Sequence, residues 1–183
     1  VTVGTASGNS QIDTASTNSS IIISGDALIR GAYNGIRANN STGLYIYNDG
    51  SISTSQTRAI NLLGSTNAEI INNTSGIISS ETGNTIAASS GTISGASVTN
   101  SGLIYATSGT AITFGSTSSG TTLTNNSGAR IYNGSSDETV RLGVSSTLIN
   151  SGTIENTGSP TSDAIDMKGN GNTVTFKDKG LVI

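Results

Sequence analysis

The sequence has no cysteine, no histidine and no tryptophan, and a single proline at Pro160. Without cysteine there are no disulfides and no thiolate metal sites. Without histidine, neither a Ser-His-Asp triad nor a Cys-His pair can be assembled. Charge is scarce as well: charged residues make up 10% of the 183 residues, and the eight basic side chains are scattered, with a net charge of -3. That balance offers no basic patch to a nucleic acid. No apolar run approaches the roughly 18 residues that a membrane-spanning helix requires. The start at Val1 shows neither the basic flank nor the long apolar stretch of a signal peptide. Aromatics are only 4% of the chain, so any core must be built largely from aliphatic residues.

What remains is glycine, serine, threonine and asparagine, a mixture that suggests disorder until its periodicity is examined. The stretch "NSGLIYATSGTAITFG", from Asn100 to Gly115, is echoed by "NSGTIENTGSPTSDAIDMKG", from Asn150 to Gly169. Taking the glycine of this phrase as an anchor gives Gly25, Gly50, Gly76, Gly102, Gly128, Gly152 and Gly180, spaced by 25, 26, 26, 26, 24 and 28 residues. A sustained period of this length is the signature of a solenoid.

Each unit carries apolar alternations of period two. One follows the anchor at Ile52, Ile78, Ile104, Ile154 and Val182, with Ile131 displaced by one. A second runs Ile36-x-Ala38, Ile60-x-Leu62, Ile86-x-Ala88, Ile112-x-Phe114, Val140-x-Leu142 and Ile165-x-Met167. A third precedes the anchor at Ile21, Ile46, Val98, Leu148 and Phe176. Period two is a strand signal, and no window shows helical spacing. The reading is an all-β, single-domain, right-handed parallel β-helix of about seven coils, each of 24–28 residues and three short strands. Residues 1–20 are expected to form an irregular N-terminal coil or cap, and residues 21–183 the repeats. Seven turns at roughly 4.8 Å give a rod of about 35 Å.

An asparagine recurs two residues before the anchor, at Asn48, Asn100, Asn126 and Asn150, while Thr74 and Asp178 hold that slot elsewhere. Its phase is inward, so the expectation is a ladder of stacked amides that satisfy one another from coil to coil. Leucine-rich and hexapeptide repeats do not fit the pattern. The segment "MKGNGNTVTF" lacks the repeated glycine-aspartate phrase of calcium-binding nonapeptides, and no metal or other cofactor is expected.

Units such as "LTNNSGARIYNGSSDETVRLG" and "LINSGTIENTGSPTSDAIDMKGNGNTVTF" resemble the repeats of bacterial autotransporter passenger domains, over Ile21 to Ile183. The resemblance implies a right-handed β-helix exported through an outer-membrane barrel and displayed at the cell surface or secreted. The absence of cysteine agrees with passage through an oxidising envelope. The expected function is that of a structural or adhesive segment, not an enzyme. Its partner would be a host or bacterial surface protein, a glycan or another copy of the chain. At the C-terminal end, Gly180 to Ile183 open a new coil, and Met167, Phe176 and Val182 present an apolar edge. This fits either a piece of a longer passenger or an end that stacks on another copy.

Two groups of side chains are candidates for function. Tyr45, Tyr47, Tyr105 and Tyr132 flank inward isoleucines and so should face outward, where a ring with a hydroxyl can contact sugars or protein surfaces. Aligning Val140 on Ile165 stacks Glu138 on Asp163 and Arg141 on Asp166. A carboxylate pair beside an arginine is the arrangement from which a glycosidase-like or tailspike-like centre could be built. The competing expectation is that Arg141 and Asp166 simply pair across coils.

Overall fold

In the computed structural model, residues 10–88, 91–159, 161–177 and 180–183 are described; Val1 to Asn9, Ser89, Ser90, Pro160, Asp178 and Lys179 lie outside them. The chain winds through three parallel sheets of seven strands each, with every coil adding one strand to each sheet. The coil Ser97–Asn100, Leu103–Ala106, Ile112–Thr113 shows the order: second sheet, third sheet, first sheet. The fold is thus a parallel β-solenoid of about seven turns, as the periodicity requires. Within the expected irregular segment, Ser10–Thr14 is already a regular strand, paired with Asn34–Asn39.

Three inward columns fill the core. In the first sheet Ile36, Ile60, Ile86, Ile112, Val140 and Ile165 stand in direct register, 24–28 residues apart. In the second sheet the column is Ile21, Ile46, Ile70, Val98, Leu123, Leu148 and Val174. Ile29, Ile52, Ile78, Ile104, Ile131, Ile154 and Val182 form the third. Stacking like on like at the coil spacing lets β-branched side chains fill a narrow interior, and most of these isoleucines have no exposed surface. Phe176, expected in the column of Leu148, pairs instead with Asn150, and Val174 takes the apolar position.

The second inward position of the second sheet holds five fully buried asparagines: Asn48, Asn72, Asn100, Asn125 and Asn150. Each Nδ2 from Asn48 to Asn125 donates to the Oδ1 of the next, at 2.8, 2.8, 2.9 and 2.9 Å. Their other proton, like that of Asn150, goes to a carbonyl at the start of the neighbouring third-sheet strand. The acceptors are Ile77, Leu103, Arg130, Thr153 and Leu181, at 3.1–3.2 Å. From Asn48 to Asn125 both amide protons are therefore used, which is what makes a buried primary amide tolerable. At the N-terminal end of the row, Asn48 Oδ1 is buried without a partner, and the residue beside it in register is Ile23.

This corrects the expected ladder at one rung and supplies another. Asn126 lies outside the row: it is half-buried and its Nδ2 donates to Ser101 Oγ at 2.9 Å. Asn125 holds that rung, and Asn72, not Thr74, holds the one two coils below it. The cause is the corner between the second and third sheets. Ser24 to Ala27, Asn73 to Gly76 and Asn126 to Ala129 are four-residue corners, whereas Asp49-Gly50, Ser101-Gly102 and Ser151-Gly152 are two-residue corners. Long and short corners alternate up the stack, so counting back from a glycine lands on the wrong residue in the long ones. The glycine of the short corner is required by crowding, not by φ. A Cβ on Gly102 would sit 2.3 Å from the carbonyl oxygens of both Asn73 and Gly76. The corner between the first and second sheets is different: it repeats a left-handed residue at Asn18, Gly43, Asn67, Gly95, Gly120, Ser145 and Gly171.

The two adjacent asparagines provide a discriminating test. Asn125→Leu removes a donor and an acceptor from the middle of the row and should cost about 1–3 kcal/mol. Asn126→Leu, at the half-exposed neighbour, should change stability by no more than about 0.5 kcal/mol. Equal losses in chemical denaturation would show that the row does not carry the corner.

Candidate functional site

The outward side of the third sheet brings two of the four tyrosines together. Tyr105 and Tyr132 are partners in register, and each follows an inward isoleucine. Their rings stack with centroids 5.0 Å apart and planes 2° from parallel. The Arg130 guanidinium carbon lies 4.1 Å from the Tyr132 ring centroid, on the same strand. Arg130 also pairs with Glu155 of the next coil. The Glu155 hydrogen bond raises the Arg130 pKa above its ordinary value, against the opposing effect of burial. Burial, followed by the neighbouring Tyr105, pushes the Tyr132 hydroxyl up.

The geometry sets what this group can do. The two rings turn one face to each other, and the arginine lies over Tyr132, so the outer surface is a strip of ring edge, hydroxyl and guanidinium. Half-buried Leu103 stands beside the pair and exposed Ile77 lies one coil below. Such a strip suits an extended partner that is in part apolar and in part hydrogen-bonding. Tyr45 and Tyr47 are half-buried on the outward side of the second sheet, flanking buried Ile46 as expected. Tyr47 is tied down by Asn73, whose Nδ2 donates to its hydroxyl at 2.9 Å. The two tyrosine groups therefore occupy different sheets and form two separate surfaces.

The charged group is a network at the first sheet. Arg141 bonds Glu138 through one guanidinium nitrogen, while its Nε lies 3.3 Å from Asp166 in the next coil. Lys168 Nζ lies 2.8 Å from the same Asp166 oxygen. Asp163, expected to stack on Glu138, is exposed and takes no part in the network. Glu138 sits in the corner before its strand, where the chain is free to swing it onto Arg141, so strand register does not govern it. Burial works against ionisation of Asp166, but Lys168 and Arg141 outweigh it and hold the carboxyl below its ordinary value. Burial likewise opposes the charge on Arg141, and Glu138 and Asp166 overcome it. The Asp166 carboxylate is thus held ionised by two cations, the opposite of what a general acid needs.

A hollow of about 800 Å³ lies against the first strands of the sheets, lined chiefly by Ile12, Ile21, Ile23, Ile29 and their neighbours. Arg58 is lowered in pKa by burial, and its Nε is buried without a hydrogen-bond partner. Among the described residues there is no cluster of three acidic side chains able to hold a metal ion, and no helix is long and apolar enough to cross a membrane.

The Asp166 carboxyl ionises more readily in the folded chain than in the unfolded one. The stability it lends is therefore present in full above the ordinary carboxylate range and is lost as pH falls through its depressed folded value. Asp166→Asn should lower stability by about 1 kcal/mol or less at neutral pH, the scale of a partly exposed pair. That deficit should close in acid, below the usual titration of a carboxylate. A deficit of the same size in denaturation curves at both pH values would show that the charge contributes nothing. Comparison of the chain with protein-family models, with curated proteins and with solved structures finds no match in any of the three.

Proposed function

We propose that the chain is a structural and adhesive segment of a β-solenoid displayed at a bacterial cell surface or secreted, like the autotransporter passengers that its repeats resemble. The observation that supports this most is the uniformity of the stack. Three sheets hold direct register through seven coils, with an amide row tying the second sheet to the third. Solenoids of this kind make stiff, extended surfaces whose stability grows by nearest-neighbour stacking. The stacked Tyr105 and Tyr132 with Arg130 supply the contact strip, and Tyr45 and Tyr47 a second one. The partner is a surface protein or glycan with an extended, partly apolar epitope.

The chain, coupled to beads, should be retained on cell surfaces or on arrayed glycans and surface proteins. Tyr105→Ser combined with Tyr132→Ser should reduce that retention several-fold while leaving the thermal unfolding midpoint within a few degrees. Retention no greater than that of uncoated beads would sink the adhesive reading. Turnover of acidic polysaccharides that is abolished by Glu138→Gln would replace it with a catalytic one.

A further inference from the structure

The sequence contains three Asn-Gly steps: Asn34-Gly35, Asn133-Gly134 and Asn170-Gly171. A glycine after asparagine leaves its backbone nitrogen open to attack the side-chain carbonyl carbon, because no Cβ stands in the way. The attack needs a side chain free to rotate and a backbone N–H without an acceptor. The fold treats the three steps differently.

Asn34 is nearly buried at the start of Asn34–Asn39, the second of the seven strands of the first sheet. Its Nδ2 donates to Ser10 Oγ and its Oδ1 accepts from Thr57 Oγ1, both at 3.2 Å. Asn133 is fully buried, with its Nδ2 held by the carbonyls of Gly109, Asp137 and Glu138. The nucleophile is engaged there as well, since the Gly134 N–H donates to the Ala106 carbonyl at 3.0 Å. Asn170 is the opposite case. It and Gly171 are exposed, and Gly171 has the left-handed φ of 75°. Among the described residues, nothing hydrogen-bonds the Asn170 side chain or accepts from the Gly171 N–H. The flanking backbone is anchored: the Asn170 carbonyl accepts from Ser145 N at 2.9 Å, and Asn172 Oδ1 accepts from Ser146 N at 2.8 Å.

We propose that Asn170 is a site of spontaneous deamidation through a succinimide, and that the fold protects Asn34 and Asn133 from the same chemistry. The Gly171 nitrogen gives its proton to solvent base and bonds to Asn170 Cγ, and the side-chain nitrogen departs as ammonia. Water then opens the imide at either carbonyl. Cleavage at the backbone carbonyl leaves isoaspartate, and cleavage at the side-chain carbonyl leaves aspartate. One ammonia is released and one water consumed, with no oxidant or reductant. The product places a carboxylate two residues from Lys168. As isoaspartate it also lengthens, by one backbone carbon, the corner that bonds Ser145 and Ser146.

The test is incubation of the intact chain in mildly alkaline buffer, in parallel with a sample in concentrated guanidinium chloride. Digestion after Lys and Arg separates the three steps, with Gly169 to Lys177 carrying Asn170. Mass spectrometry that resolves isoaspartate from aspartate then gives each rate. In native buffer, Asn170 should convert at least about tenfold faster than Asn34 or Asn133, since each of those must first open its part of the fold. In denaturant the three rates should converge. Native conversion at Asn34 or Asn133 as fast as at Asn170 would overturn the proposal, and so would an Asn170 rate that rises in denaturant as steeply as theirs.

Discussion

A primary amide has two protons, and the row of buried asparagines uses them in two directions. One bond runs along the solenoid axis to the next amide. The other crosses the corner to a backbone carbonyl of the next coil. A single side chain thereby ties one coil to the next and the second sheet to the third. The rest of the corner follows from this. The strand must end at the asparagine, the short corner must carry glycine where two carbonyls of the coil below press against it, and the long corner must fill the space that the short one leaves. An amide left unpaired there would forfeit bonds to its neighbours on both sides, which makes the row cooperative.

Much of the architecture was legible because strand alternation survives even in a chain so poor in bulk. Ile60, Ile86, Ile112, Val140 and Ile165 declare themselves by spacing, and the register places them in one column. The asparagine row was legible in kind but misplaced at Asn126 and missed at Asn72, because glycine is a corner residue and corner length varies. The strand was the better ruler. Each rung lies two residues after an inward apolar residue: Ile46, Ile70, Val98, Leu123 and Leu148 lead to Asn48, Asn72, Asn100, Asn125 and Asn150. The same rule separates Val174 from Phe176.

Legibility of the surface groups divides in the same way. Tyr105 and Tyr132 sit inside strands, so register alone brings their rings together. Arg141 and Asp166 are likewise strand partners, and they pair. Glu138 and Asp163 precede their strands, where backbone register no longer dictates neighbours, and the stronger local attraction of Arg141 captures Glu138. The placement of Arg130 over Tyr132 depends on a side-chain rotamer that a repeat pattern does not encode.

The amide row also gives the rod an electrical sense. In parallel sheets the backbone N–H and C=O groups point alternately up and down the stack, and their dipoles largely cancel. The five side-chain amides do not alternate: each directs its nitrogen towards the C-terminal coil. If each carries a dipole comparable to a peptide unit, about 3.5 D, the row sums in the manner of a helix. Its negative end lies at the unpaired oxygen of Asn48 and its positive end at Asn150. A solenoid with so few charged residues on its surface thus carries a directed field through its neutral core, with a sign set by the order in which the coils were written.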